Sequence, residues 1–155
     1  MLISCDMTPL RNSRQTEARR CTETIRDLLL GYKARMEEEL RKSGVTLPQI
    51  RMLKAVAQQN EASAASIARL CHITPQTLQS ILTRATREGW IVRGSSPSNG
   101  RIVTASLTPR GEAILQQGLE AAGRIEAQIW SGIPLASMQA MRATLESGLV
   151  NLNRD

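Results

Sequence analysis

The side chains with the clearest chemical purpose lie between Thr74 and Arg101. Thr74-Pro75 has the form of a helix start, a side-chain cap followed by proline at the first helical position. On the helix it opens, Leu78, Ile81, Leu82 and Ala85 share a core side, and Gln76, Thr77, Ser80, Arg84 and Arg87 face away from it. Gln76, Thr77 and Ser80 are short hydrogen-bonding residues at the N-terminal end, able to approach base edges in a major groove. Arg84 and Arg87 follow one and two turns later, where a cation suits a phosphate. Beyond the helix, Arg101 ends a run of turn formers, Gly94-Ser-Ser-Pro-Ser-Asn-Gly100, and is the only cation between Gly94 and Leu107. A cation at such a tip can enter a minor groove or touch its phosphates.

Other reactive residues are few. The three cysteines, Cys5, Cys21 and Cys71, form no CxxC pair and indicate neither a disulfide framework nor a zinc site. His72, the single histidine, adjoins Cys71, and two adjacent residues without further ligands cannot close a coordination sphere. They are also poorly placed for proton transfer between them. No phosphate loop, dinucleotide glycine motif, nucleophile elbow or HExxH helix occurs, so no catalytic residue, metal or cofactor is expected. Cys21 sits beside Arg19 and Arg20 near a helix start. A lowered thiol pKa there would make it a redox sensor, against the plainer reading of an inert cysteine.

Charge supports a polyanionic partner. The 155-residue chain carries +6 overall, and residues 47–107 hold seven Lys/Arg against two Asp/Glu. Aromatics are only 2% of residues, with no Phe, too few to stack single-stranded bases. Duplex DNA is therefore the expected nucleic acid. No apolar run approaches the ~20 residues of a membrane span. The N-terminal stretch lacks the pattern of a signal peptide, so the expected location is cytoplasmic.

The elements that must hold these residues can be read from periodicity. Residues 1–16 are polar and aperiodic and are expected to form a flexible tail. A helix is expected from Thr22 to Lys42, with apolar residues at Ile25, Leu28, Leu29, Tyr32, Met36 and Leu40. A second helix follows Thr46, a short third follows Ser63, and the fourth runs from Pro75 to Gly89. Strands are expected at Trp90 to Arg93 and Ile102 to Leu107, and two more helices after Thr108-Pro109 and from Leu135. The fold class is mainly α (α+β). Residues 46–107 form a winged helix-turn-helix, and residues 17–45 and 108–155 form a helical dimerisation region. A short helix, a tight Cys71-His72-Ile73 turn and a second helix, followed directly by a hairpin, is the winged arrangement.

From Thr46 to Gly111 the sequence resembles the MarR family of bacterial regulators. The resemblance rests on Thr46-Leu-Pro-Gln-Ile-Arg-Met-Leu53, Thr74-Pro-Gln-Thr, Arg87-Glu-Gly-Trp-Ile-Val-Arg93, and the wing with its exit from Ser98-Asn-Gly-Arg101 to Gly111. With the flanking helices it extends over about residues 20–153. It implies a homodimer held by the terminal helices on a pseudo-palindromic operator, acting as a ligand- or oxidant-responsive repressor. By position it places Gln76, Thr77 and Ser80 at bases, Arg101 at the wing arginine and Arg93 at a basic position shared by many members. The family's wing commonly carries Asp-x-Arg, whereas Asn99-Gly-Arg101 stands here and lacks the ionic brace. By the same resemblance, Tyr32, Met36, Arg51 and His72 would line a cleft for a small aromatic acid. Packing of the terminal helices on the winged domain is the plainer alternative to a dimer. A winged-helix module that binds a protein rather than DNA is the alternative function.

Overall fold

The computed structural model describes residues 8–59, 63–95 and 103–154. Its elements are α1 (Thr8–Arg41), α2 (Leu47–Gln58), α3 (Ala64–Cys71), α4 (Pro75–Arg87), β1 (Ile91–Ser95), β2 (Val103–Leu107), α5 (Pro109–Ile129) and α6 (Leu135–Leu152). They form two compact units, Met1–Ala122 and Gly123–Asp155, with α5 contributing to both.

In the first unit, α2 packs against α1, α3, α4 and β2. Met52, Leu53, Ile67, Leu78 and Ile91 are fully enclosed there, and the last turns of α1 add Met36 and Leu40. Local chemistry sets the helix ends. The Gln49 side chain accepts from the Thr46 N–H at 2.9 Å, and Ser63 and Thr74 each accept from the backbone N–H three residues on, at 3.2 Å. Between α3 and α4 the chain turns at His72, which adopts a left-handed conformation (φ 51) as the C-cap of α3. Ile73 then returns its N–H to the Ala68 carbonyl. The strands β1 and β2 are antiparallel, with Arg93 opposite Ala105.

The start of α1 departs from expectation. Residues 8–16, expected as part of a flexible tail, belong to a helix that begins at Thr8 rather than Thr22. Residues 13–22 are exposed on every side, so no apolar stripe marks them. Charge pairs at helical spacing support these turns instead, Arg19 to Glu23 at 3.1 Å and Arg20 to Glu17 at 3.8 Å. Each such pair contributes only a few tenths of a kcal/mol, roughly 0.2–0.5.

The wing base and α5 meet at very short range. Thr108 donates its hydroxyl to the Gly89 carbonyl at 2.7 Å and accepts from the Gly111 N–H at 3.1 Å. A Cβ on Gly111 would stand 1.9 Å from the Trp90 carbonyl oxygen, so no other residue fits without moving backbone. Seven residues further along α5, a Cβ on Gly118 would come within 2.7 Å of the Ile50 side chain. These two positions seat α5 against the wing base and α2.

The second unit contains the end of α5, a turn through Gly132 and α6. Helix α6 has no buried residue, and Leu135, Leu145, Leu149, Val150 and Leu152 are all exposed. Among the described residues, no helix is long and apolar enough to cross a membrane.

Candidate nucleic-acid interface

Helix α4 owes its position to its apolar side. Leu78 and Ala85 are completely inaccessible and Leu82 nearly so, and this burial turns the remaining faces outward. Gln76, Thr77, Ser80, Arg84 and Arg87 are all exposed, on the side expected from their spacing. The proline and the cap at the N-terminal end leave the first turn free of bulky side chains, so base edges could approach Gln76 and Ser80 closely. Thr77 is partly engaged. Its hydroxyl lies 2.9 Å from that of Thr74, so it presents less free hydrogen-bonding capacity than Ser80.

The arginines have intramolecular partners. Arg84 donates to the Gly44 carbonyl at 3.1 Å, reaching from α4 to the turn that ends α1. Arg87 lies 3.5 Å from Glu88, an exposed pair of little energetic weight. Neither contact is buried, so both guanidinium groups can exchange these partners for a phosphate at small cost. Arg93 is exposed on β1 and lines a small cavity of about 80 Å³ with Gln79 and Thr104, between α3, α4 and the wing strands. Arg101 and Asn99 lie outside the described residues.

The four residues expected to line an effector cleft have different environments. Met36 is fully buried, Tyr32 is half-buried, and Arg51 and His72 are exposed. The His72 backbone caps α3, and its side chain is exposed. Arg51 is close enough to the buried Cys71 to act on its thiol. Burial pushes that thiol above its ordinary value, and the Arg51 charge offsets part of the rise. A cavity of about 400 Å³ lies elsewhere, between α2, β2 and α5, and none of the four lines it. Cys21 is exposed on α1.

Sequence reasoning read Thr108-Pro109 as a helix start but left two contacts unassigned, that of Gly111 with Trp90 and that of Arg84 with Gly44. A glycine inside a helical pattern was the available signal for Gly111. The Arg84–Gly44 contact spans forty residues and carries no local signal.

Comparison with known proteins agrees with this geometry. The MarR family model matches residues 43–102, the interval from the end of α1 to the wing. An HTH-type transcriptional repressor of Mycobacterium tuberculosis is 28% identical over 103 residues, covering 66% of this chain and 74% of the repressor. Among solved structures, a MarR family transcription regulator superposes with a TM-score of 0.78 at 24% identity, over 91% of this chain and 95% of its own. BpsR of Bordetella bronchiseptica, whose DNA binding is regulated by 6-hydroxynicotinic acid, superposes with a TM-score of 0.70 at 20% identity, over 83% and 97%.

Proposed function

We propose that the chain is a transcriptional regulator of the MarR family and not an enzyme, a homodimeric, effector-responsive repressor that binds a pseudo-palindromic duplex operator. The observation that carries this reading is the division of α4. Leu78, Leu82 and Ala85 are buried, while Gln76, Thr77, Ser80, Arg84 and Arg87 stand in solvent beside a two-stranded wing. Gln76, Thr77 and Ser80 read bases in the major groove. Arg84, Arg87 and Arg93 hold phosphates, and Arg101 on the wing reaches the neighbouring minor groove.

Two copies are needed because one recognition helix covers only a half-site. The exposed Ile25, Leu28 and Leu29 on α1, and Leu145, Leu149 and Leu152 on α6, are apolar surfaces of the kind a second copy covers. Repression is supported by the mycobacterial relative. Regulation by a small aromatic acid is supported by BpsR, with Arg51 as the cation for the carboxylate and Tyr32, Met36 and His72 around it.

Selection of bound sequences from random duplexes tests the central claim. A two-fold symmetric motif, bound with an affinity that falls steeply with salt, is the expected outcome. Failure to enrich any sequence, with no salt-dependent binding, would leave the winged unit as a surface for a protein partner. With the motif in hand, Arg101→Ala should cost about 1–3 kcal/mol, and more on A·T-rich flanks than on G·C-rich ones.

A further inference from the structure

Helix α4 has a protein neighbour on each flank. At about 100° per residue, Gln79 and Arg84 stand about 140° apart around the helix, on either side of the outward line through Ser80 and Arg87. On one flank, Gln79 lines a small cavity with Arg93 and Thr104 of the wing strands. On the other, Arg84 donates to the Gly44 carbonyl at 3.1 Å, in the turn between α1 and α2. The wing therefore stands on one side of the recognition helix and the α1–α2 turn on the other.

An α-helix with its side chains is about 10–12 Å across and fills a major groove about 12 Å wide, so each flank of the helix meets a wall of phosphates. The wing flank brings Arg93 to one wall. What the turn offers the other wall is set by its charge. Residues 41–44 are all exposed. Arg41 lines a shallow hollow with Gly44, beside the carbonyl that Arg84 holds, and Glu37 shares that hollow.

The acidic residues one turn back are already paired. Glu37 lies 3.8 Å from Lys33 and Glu38 lies 3.7 Å from Arg35, and Glu39 also has a partner within the protein. By contrast, the Arg41 and Lys42 side chains make no hydrogen bond or ion pair among the described residues. Arg84 adds to them, because a guanidinium carries several N–H donors and can keep Gly44 on one while others meet a phosphate. Three cations from two elements thus gather around Gly44 with no carboxylate left over to neutralise them.

We propose that the α1–α2 turn is a second DNA-contacting surface, on which Arg41 and Lys42, with Arg84 beside them, hold the phosphate strand across the groove from the wing. The inference rests on the duplex-binding reading and gives a DNA role to residues that their sequence grouped with the dimerisation region. The same helix, α1, would then serve both the second copy and the DNA.

The test compares the full-length wild-type chain with a double variant, Arg41→Gln with Lys42→Gln, on the operator obtained by selection. Both side chains are exposed, so the variant should keep its native circular dichroism. Its affinity should fall on every duplex, the selected motif should stay the same, and the log–log salt slope should drop by about 0.9 for each phosphate contact removed. Duplexes with a single neutral methylphosphonate locate the contact. Wild type should lose affinity at one or two positions of each half-site where the double variant loses none. An unchanged salt slope, or a methylphosphonate profile identical in the two proteins, would overturn the proposal and leave operator binding intact. A wild-type chain without salt-dependent duplex binding would overturn it together with the reading it rests on.

Discussion

Helices α4 and α6 present opposite chemistry to solvent. Helix α4 buries Leu78, Leu82 and Ala85 and exposes Gln, Thr, Ser and Arg, whereas α6 buries nothing and exposes Leu145, Leu149 and Leu152. Burial in the winged region is satisfied within the chain, so its polar surface is available for recognition. On α6 the leucines are exposed among the described residues, and the proposed second copy would cover them. The contrast separates a region that buries its own apolar face from one whose apolar residues the proposed dimer would cover.

Four substitutions, one of them with a control, can break or sharpen that contrast. The largest effect is expected from Leu78→Ala, which leaves a cavity at a fully enclosed site and should lower stability by about 3 kcal/mol. Urea denaturation followed by circular dichroism measures it. A loss below about 1 kcal/mol would mean that the winged core is less closed than its burial indicates.

Next comes Leu149→Asp, on the exposed side of α6. A charge at an apolar interface should weaken self-association at least tenfold, or about 1.4 kcal/mol, in sedimentation experiments. The winged core should be unaffected, so near-native circular dichroism should persist. Unchanged association would remove α6 from the proposed dimer interface and erase the contrast with α4.

A smaller effect is expected for Arg84→Ala, about 1 kcal/mol on DNA affinity, equally across sequences, with the salt slope reduced by roughly one. Ser80→Ala serves as its control and should relax specificity at one position of the motif. If Arg84 acts only as a strut to the Gly44 carbonyl, the slope will not change.

The smallest effect has the opposite sign. His72 is the one described non-glycine residue with positive φ. His72→Gly relieves a left-handed penalty of roughly 1–2 kcal/mol and adds roughly 0.5–1 kcal/mol of chain entropy cost, for a net gain near 0.5 kcal/mol. Thermal denaturation at fixed protein concentration measures this gain. A net loss would show that the imidazole makes contacts worth more than the backbone strain.

How much was legible in advance depended on the range of the interaction. The boundaries of α4 follow from Thr74, Pro75 and the glycine at 89, all acting within a few residues, and its two faces follow from helical spacing alone. The beginning of α1 was not legible. A helix exposed on all sides has no apolar period, and the ion pairs of Arg19 and Arg20 with nearby glutamates leave only a weak mark. The resemblance groups Tyr32, Met36, Arg51 and His72 around one cleft; how deeply each is buried, from the enclosed Met36 to the exposed Arg51 and His72, is a matter of packing that helical spacing does not give.

The sequence by itself determined the order of helices, the winged arrangement, the polar face of α4 and the concentration of positive charge in the middle third. All of these rest on contacts within about one or two helical turns or on composition. Only the tertiary structure decided that Arg84 reaches the Gly44 carbonyl, that Gly111 meets the Trp90 carbonyl, and that Glu112 lines one cavity with Gln59. Those pairings join segments about twenty to fifty residues apart. They form because burying α2, α4 and the wing base together brings these segments into contact, and no spacing rule along the chain encodes which atoms then meet.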